Sequence, residues 1–175
     1  GFVHNARLGG RMTSTQATDR DQIAQLLYLY ARAIDAKEFA LLDSVFAPEA
    51  EIDYAVPGGT RLPLREMIAW LRDALSMFRM TQHVISNPIV EVNGDCASST
   101  AYLTATHEQV GLDGKRTVFV DHGVYKDVWV RTPHGWRIRA RRLERFLMHG
   151  DFQMPDQCKR YPTAPQPVAL PTSDD

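Results

Sequence analysis

Two side chains that could move a proton stand out in the sequence, His83 and Asp35. Histidine changes its charge near neutral pH, so it is the most frequent general base of enzymes. Asp35 ends a long helical pattern, where the helix dipole favours cations over a carboxylate, and this placement hints at another role. Each residue also has an ordinary interpretation, as a core or surface histidine and as a helix-terminal acid.

The sequence lacks the motifs that hold a phosphate, a dinucleotide or a zinc ion, and it lacks a nucleophile elbow. His83, His107 and His122 fall on predicted strands of one sheet. No His-x-His or His-x-x-x-His spacing places two metal ligands at adjacent positions. We therefore expect neither a metal ion nor another cofactor.

Composition favours one globular domain that acts on a small molecule. The chain has 175 residues, 44% of them hydrophobic. Its 20 basic and 21 acidic residues leave a formal charge of −1, too little to hold nucleic acid or an anionic membrane. The expected partners are a small molecule and further copies of the chain. The basic run at residues 137–142 alternates in part with apolar residues, which predicts an exposed strand face.

The cysteines and the chain ends indicate a cytoplasmic protein. Cys96 and Cys158 lack the spacing of a zinc site or a disulfide framework, which predicts free thiols. No apolar run reaches the roughly 20 residues that cross a bilayer, and no signal peptide is visible. Residues 1–11 precede Met12 without any periodic pattern, and we interpret them as an expression leader.

Three helices are predicted in the first half of the chain. The first begins near Thr18 as N-cap and presents apolar residues at three- and four-residue steps as far as Ile34. A short second helix covers about 38–46 and ends before Pro48. The third covers about 64–78.

The second half is predicted to form antiparallel strands. Asn93-Gly94 is typical of a type I′ hairpin turn, and Asp113-Gly114 and Pro133-His134-Gly135 mark two further hairpins. The predicted strands cover residues 51–56, 81–92, 96–110, 117–130 and 136–146. Helices followed by hairpins predict an α+β fold with a curved sheet wrapped around the helices.

The C-terminal segment, residues 153–175, contains five prolines and cannot form a regular helix or a central strand. Its apolar residues, among them Met154, Tyr161 and Leu170, could anchor it to the domain. We favour an ordered arm over a disordered tail.

Five motifs in order resemble the SnoaL-like, scytalone dehydratase-like branch of the nuclear transport factor 2 (NTF2)-like superfamily. They are Tyr30-Ala-Arg-Ala-Ile-Asp35, Phe46-Ala-Pro-Glu-Ala-Glu-Ile-Asp-Tyr54, Thr81-Gln-His83, Asn93-Gly94-Asp95 and Gly135-Trp136-Arg137. The resemblance covers about residues 18–147, and it implies a domain over residues 12–152. It also implies an NTF2-like α+β cone, with about three helices packed into a strongly curved, mixed, mostly antiparallel sheet around a pocket.

In the enzymes of this family, an aspartate on the first helix and a histidine on the sheet act together, and the matching positions here are Asp35 and His83. The pairing has a clear physical basis, because a carboxylate on one ring nitrogen sets the tautomer and raises the basicity of the imidazole. The other ring nitrogen is then available to remove a proton.

Further positions match individual family members. Tyr30 and Arg145 match functional residues of the bile-acid dehydratase, whereas Tyr54 and His107 match residues that assist proton transfer in scytalone dehydratase. Trp70 and Phe119 are assigned to the substrate pocket. The alternatives are a buried helix tyrosine for Tyr30, an ordinary strand aromatic for Tyr54, a surface charge for Arg145, and core positions for the other aromatic residues.

The resemblance implies a cofactor-independent lyase that carries out a dehydratase-type β-elimination on a hydrophobic, ring-containing hydroxy-carbonyl compound. The substrate would be steroid-, terpenoid- or aromatic polyketide-like. The same residues would serve an isomerase or a polyketide-type cyclase, and a non-catalytic binding protein or the small subunit of a ring-hydroxylating dioxygenase are further alternatives. Family members are trimers closed by a C-terminal segment, so a homo-oligomer is expected, preferably a trimer and otherwise a dimer, with residues 153–175 as a pocket lid.

Overall fold

The structure is a computed structural model that describes residues 14–54 and 61–161. It contains helix α1 (Ser14–Asp35), a short 3-10 helix (Phe39–Ser44) and helix α2 (Leu64–Leu75). The strands are β1 (Phe46–Asp53), β2 (Arg61–Pro63), β3 (Met80–Asn93), β4 (Cys96–Val110), β5 (Arg116–Thr132) and β6 (Gly135–Gly150). The proposed leader at residues 1–11 lies outside the described residues.

All six strands form one sheet in the order β2-β1-β6-β5-β4-β3. Strands β3 to β6 follow each other as antiparallel hairpins, and β1 pairs in parallel with β6. This mixed, mostly antiparallel arrangement confirms the predicted α+β class. Helix α1 packs on β3 and α2 packs on β1, so the helices cover one face of the sheet. No helix in the described ranges is long and apolar enough to span a membrane.

The core lies between α1, α2 and this covered face. Its largest fully buried apolar side chains include Trp129, Trp136, Phe46, Ile23 and Leu27. They come from positions at helical spacing on α1 and at every second position of the strands, as expected for amphipathic elements. The core therefore fixes which strand positions point toward the helices.

Several predicted boundaries differ from the structure. Helix α1 already includes Ser14, so Thr18 is not its N-cap, and Asp19 instead binds Arg131 and Trp136. The second predicted helix is only a 3-10 helix, and Phe46, the predicted last residue of that helix, instead begins strand β1. Helix α2 ends at Leu75, earlier than predicted, and the three-residue β2 was not predicted.

The first hairpin is confirmed, but its turn type is not. Asn93 pairs with Cys96, so Gly94 and Asp95 are the two turn residues. Gly94 has φ +60° whereas Asn93 and Asp95 keep negative φ, a pattern typical of a type II′ turn rather than type I′. In the type II′ turn the glycine is required at the first turn position, because residues with a Cβ rarely adopt this φ.

β-Bulges interrupt the alternation of β5 and β6 twice, between His122 and Gly123 and between Val128 and Trp129 on β5. At the second bulge, Val128 pairs with Ala140 and Trp129 with Ile138, so Arg139 has no cross-strand partner. Each extra residue reverses the side to which the following β6 side chains point. Side chains beyond the bulge consequently face the opposite way to what simple alternation predicts.

Candidate active site

A cavity of about 580 Å³ lies between the helices and the covered face of β3 to β6. Its walls are mainly apolar and aromatic, and they include two of the predicted pocket residues, Trp70 and Phe119. Polar side chains reach it from α1, from the chain after β1 and from β3 to β6: Tyr30, Tyr54, His83, His107, Asp121, Tyr125 and Arg145. A mostly apolar cavity with a few convergent polar groups is the usual form of a small-molecule site.

A second concavity, of about 520 Å³, is bordered by outward-facing residues of the sheet such as Thr100, Lys126 and Arg142. Lys126 forms an exposed ion pair with Glu144, and Arg61 with Glu51. These charges lie in water and already pair with each other, so they gain little from a ligand. The cavity under the helices is therefore the candidate active site.

His83 and Asp35 meet at one side of this cavity. His83 Nδ1 lies 2.7 Å from Asp35 Oδ1, and the backbone N–H of His83 donates to Asp35 Oδ2 at 2.8 Å. Thr81 Oγ1 also donates to Asp35 Oδ1, at 3.0 Å. Because an ionised carboxylate only accepts, the Nδ1–H of His83 is the donor of this bond, and Nε2 is the ring nitrogen on the side away from Asp35. This arrangement is one in which a histidine can act as a base, with Nε2 as the nitrogen that meets a ligand.

Local structure explains this contact. Thr81 and His83 stand two residues apart on β3 and so face the same side, toward the end of α1. The chain leaves α1 sharply, because Lys37 adopts φ +59° and its backbone N–H bonds to the Ile34 carbonyl. Lys37 Nζ then donates to the Phe78 carbonyl at 3.1 Å, which ties the segment after α2 to the end of α1.

His107 lies beside His83, with ring centroids 5.6 Å apart. Cross-strand pairing with Phe119 stacks its ring at 4.4 Å with an interplanar angle of 5°. Burial, reinforced by the neighbouring His83, lowers the pKa of His107 to about 3. His107 is therefore neutral at physiological pH and can exchange hydrogen bonds with a ligand, but it is no cation.

Tyr30 and Tyr54 share a short hydrogen bond between their hydroxyl groups. Burial, followed by the nearby Tyr30, raises the pKa of Tyr54 well above its usual value. The Tyr54 hydroxyl thus stays protonated and can donate to an oxygen. Trp70 packs against Tyr54 at a centroid distance of 6.2 Å, and Tyr125 packs against Tyr30 at 5.7 Å.

Arg145 is held at the cavity by two acceptors. Its Nε donates to Asp121 Oδ2 at 2.5 Å, and Nη1 donates to the Tyr54 carbonyl at 2.6 Å. The side chain is 27% exposed, so it is not a free surface charge. Asp121 was not predicted as a site residue. An acid two residues after Phe119, on the inward-facing positions of β5, was the sequence signal that could have revealed it.

Arg141 corrects the prediction that residues 137–142 form an exposed strand face. Its side chain is 0% exposed and lies under the tyrosines, where it pairs with the equally buried Asp127. The reason is the bulge at Arg139, which turns Arg141 and Leu143 inward after Trp136 and Ile138. Arg139 and Arg142 do face solvent, as predicted.

The predicted C-terminal arm is described as far as Tyr161, and the rest of it lies outside the described residues. Phe152, just before it, borders the cavity and packs edge-on against Phe119 at 5.1 Å. Gln153 exchanges hydrogen bonds with Gln109, and the Tyr161 N–H donates to the Ser76 carbonyl. This part of the arm therefore lies along the end of β4 and reaches the segment after α2.

The eight predicted site residues come together in space. Seven line the cavity, and Asp35 is bonded to one of them, His83. Their roles in catalysis and binding stay predictions. Within residues 14–54 and 61–161, no group of three or more His, Cys, Asp and Glu side chains is arranged to hold a metal ion.

Comparisons with known proteins identify the family. Residues 15–142 match the model of the SnoaL-like domain. The uncharacterized protein Rv2910c of Mycobacterium tuberculosis is 38% identical over 133 residues, covering 76% of this chain and 88% of that protein.

Two solved structures illustrate the shared fold. The Kfla4162 protein of Kribbella flavida is 30% identical with a TM-score of 0.69, over 77% of this chain and 95% of that one. A type 2 hexachlorocyclohexane dehydrochlorinase (LinA) is 16% identical with a TM-score of 0.67, over 80% and 96% of the two chains. The chain belongs to the SnoaL-like family and has the fold of the NTF2-like superfamily.

Proposed function

We propose that this protein is a lyase that eliminates water from a small, hydrophobic hydroxy-carbonyl compound, with His83 as general base. The single observation that carries the proposal is the hydrogen bond between His83 Nδ1 and Asp35 Oδ1 at the wall of a mostly apolar cavity. A histidine oriented in this way is poised to take a proton from carbon beside a carbonyl group. The dehydrochlorinase that shares the fold is, by its name, also an eliminating enzyme.

The proposed reaction needs no group beyond the protein. His83 Nε2 removes the proton next to the substrate carbonyl, and the electron pair moves to the carbonyl oxygen as an enolate. Asp35 stabilises the imidazolium that forms, while the hydroxyl pair of Tyr30 and Tyr54 donates a hydrogen bond to the enolate oxygen. The enolate then re-forms the carbonyl and expels the β-hydroxyl, which takes the proton from His83 and leaves as water.

The surroundings support the proton donors and the choice of a neutral substrate. The raised pKa of Tyr54 keeps its hydroxyl protonated, so it is a donor when negative charge develops on the substrate oxygen. Arg145 is the cation at the cavity wall in the described chain, and Asp121 already neutralises it. An uncharged steroid-, terpenoid- or polyketide-like ring compound suits this cavity better than a carboxylate.

An isomerase or a cyclase would begin with the same proton removal and differ only in the fate of the enolate. A binding protein without catalysis would not need the base.

A homo-oligomer and a C-terminal lid remain part of the proposal, since Phe146 and Met148 border the cavity and are 66% and 57% exposed in the single chain. Such apolar side chains favour cover by another chain.

Proton abstraction can be tested without knowledge of the product. A panel of hydroxy-ketones with steroid, terpenoid and aromatic polyketide rings is incubated with the protein in D₂O and analysed by mass spectrometry. Elimination removes the mass of one water, and isomerisation adds deuterium without loss of water. We expect one of these changes with the wild type, and a loss of at least about 100-fold in rate with His83→Ala.

His122→Ala is the matched control, because His122 is also a strand histidine but bonds to Thr104 and His149, outside the cavity. It should retain the wild-type rate. Asp35→Asn should lose most of the activity, because an amide can stabilise the other tautomer of His83. Turnover that survives His83→Ala would overturn the mechanism, and binding of the panel without any mass change would favour the non-catalytic alternative.

A further inference from the structure

A buried ion pair lies beneath the tyrosines of the candidate active site. Arg141 Nε donates to Asp127 Oδ1 at 2.7 Å, and Arg141 Nη2 donates to Asp127 Oδ2 at 2.8 Å. The two side chains are 0% and 1% exposed. The proposed proton transfer uses neither of them, so their presence in the core needs another explanation.

The guanidinium group of Arg141 is in contact with Tyr30, one of the two rings that carry the hydroxyl pair, and with the neighbouring ring of Tyr125. Its central carbon lies 4.2 Å from the ring centre of Tyr30 and 4.1 Å from that of Tyr125. A cation over an aromatic face is attracted to it and fixes the ring plane. Tyr125 in turn packs edge-on against Tyr30 and at a tilt against Tyr54.

The charge of Arg141 also acts on the tyrosine hydroxyls. It lowers the pKa of Tyr54 and thereby opposes part of the increase that burial causes, while Asp127 acts in the other direction with a smaller effect. The electrostatic effect of Arg141 on the Tyr54 hydroxyl is therefore larger than that of Asp127. A positive field at this point favours negative charge on an oxygen bound to the hydroxyls.

We propose that Arg141, held by Asp127, is a positioning residue that orients the Tyr30–Tyr54 hydroxyl pair and strengthens its binding of an oxyanion. Arg141 acts through the tyrosines and does not itself border the cavity. The inference rests on the proposed function, because it assumes that the hydroxyl pair binds an enolate oxygen. It adds that the site prefers ligands with an acidic enol or phenol oxygen.

A purely structural role would be served equally well by apolar side chains. Replacing a buried ion pair by hydrophobic residues of similar size is often neutral or stabilising, whereas removing one partner leaves an unpaired charge. The informative variant is therefore the double substitution Asp127→Leu with Arg141→Met. Arg141→Lys, with Asp127 retained, keeps the charge without the planar stacking surface.

The matched control is the pair of Asp19 and Arg131, on α1 and β5. Arg131 also donates two hydrogen bonds to its aspartate, at 3.0 and 2.7 Å, and also stacks on an aromatic ring, that of Trp136 at 4.3 Å. None of these three residues borders the cavity. The double substitution Asp19→Leu with Arg131→Met thus removes a similar pair away from the tyrosines.

The experiment measures binding of 2-naphthol, whose oxygen imitates an enolate oxygen, and of naphthalene, which has the same apolar rings without oxygen. Fluorescence titrations on the folded proteins, from neutral to mildly alkaline pH, give the ratio of the two affinities. We expect the wild type to prefer 2-naphthol increasingly as pH rises. In the Asp127→Leu/Arg141→Met variant, the ratio of the 2-naphthol affinity to the naphthalene affinity should fall about tenfold. A change of this size corresponds to the free energy of about one charge-assisted hydrogen bond.

Naphthalene affinity should remain unchanged in that variant, Arg141→Lys should retain more of the preference, and the Asp19→Leu/Arg131→Met control should retain all of it. If Tyr54→Phe abolishes the preference for 2-naphthol but the Asp127→Leu/Arg141→Met variant keeps it, the proposed role of Arg141 is wrong while that of the tyrosines stands. The same conclusion follows if the Asp127→Leu/Arg141→Met variant loses affinity for 2-naphthol and naphthalene by the same factor. A wild type without any preference, or one whose preference survives Tyr54→Phe, would overturn the oxyanion role of the tyrosines as well.

Discussion

Helix α1 and strands β5 and β6 build two aspartate–arginine pairs that resemble each other in geometry and differ in surroundings. Near the β5–β6 turn, Asp19 binds Arg131 and also accepts a hydrogen bond from Trp136 Nε1 at 3.0 Å. Midway along the strands, Asp127 binds Arg141 under the tyrosines. The Arg131 side chain is 34% exposed, and that of Arg141 is completely buried.

The difference separates the end of the domain where α1 is fastened to the sheet from the end that holds the candidate active site. At the turn, the charges fasten α1 to the sheet, and Trp129 Nε1 also finds its partner in Ser99 Oγ. In the described part of the chain, buried atoms without a hydrogen-bond partner include His107 Nδ1 and Asp121 Oδ1, both on residues that line the cavity. Unpaired polar atoms cost stability, and these two offer hydrogen bonds to a polar ligand in the cavity, whereas other unpaired atoms, such as Thr117 Oγ1, lie away from it.

The largest expected effect is on the free energy of unfolding when one arginine is removed from each pair. Arg141→Met leaves Asp127 buried and unpaired, and we expect a loss of about 3–5 kcal/mol. Arg131→Met should cost only about 1–2 kcal/mol, because Arg131 is itself partly exposed and Asp19 keeps its hydrogen bond from Trp136 Nε1. Urea denaturation at pH 7 measures both values. Equal losses would show that burial does not distinguish the two pairs.

The next largest effect is expected in the free energy of unfolding at acidic pH, and it should come from His107 in the cavity wall. An unfolded histidine binds a proton below pH 6.5, but the pKa of His107 in the folded protein is about 3. Stability from this group is therefore complete above pH 6.5 and falls by about 1.4 kcal/mol per pH unit between pH 6 and pH 3. Unfolding free energies measured from pH 7 to pH 4 should show this slope.

His107→Phe removes the titrating group while keeping an aromatic ring stacked on Phe119. Its plot of unfolding free energy against pH should therefore lack the slope of about 1.4 kcal/mol per pH unit that His107 contributes. His149→Phe, at an exposed position, is the control and should follow the wild type. A slope that persists unchanged in His107→Phe would contradict the assignment to this histidine.

The smallest effect is expected for Asp19→Asn at the turn end. Hydrogen bonding by Arg131 lowers the pKa of Asp19 below its usual 3.8. A lowered carboxyl pKa contributes stability that is present above the unfolded pKa and is lost as pH falls through the folded pKa. The variant should be less stable by about 1 kcal/mol at pH 7, and the gap should close only below pH 4. A gap that already closes near pH 6 would contradict this assignment.

Much of the fold followed from local patterns. The hairpin between β3 and β4 was predicted from Asn93-Gly94, because a tight turn needs a residue with positive φ and few residues other than glycine provide it. The helical stripe of α1 was predicted as far as Ile34, since the apolar period of an amphipathic helix is set by its own geometry. The first residue of α1 and the 3-10 form of the second helix were not predicted, because helix ends and short helices depend on the elements that pack around them.

The site was predicted only in part. His83 and Asp35 were paired through the family resemblance, and the structure places them 2.7 Å apart. Alternation along β5 could have placed Asp121 and Asp127 on the inward face, but the cations that they meet on β6 depend on strand register and bulges. Arg141 was assigned to the wrong face, because an alternating pattern carries no mark of the bulge at Arg139.

By itself, the sequence determined the order of helices and hairpins, the absence of known cofactor motifs and the residues able to transfer a proton. These properties depend on side-chain type and on neighbours along the chain. The tertiary structure alone decided which polar residues meet, since strand register and bulges direct each side chain to one face of the sheet. The buried Arg141 under Tyr30 is the clearest case, because one extra residue on β6 turned a predicted surface charge into a buried cation beneath the tyrosines of the candidate active site.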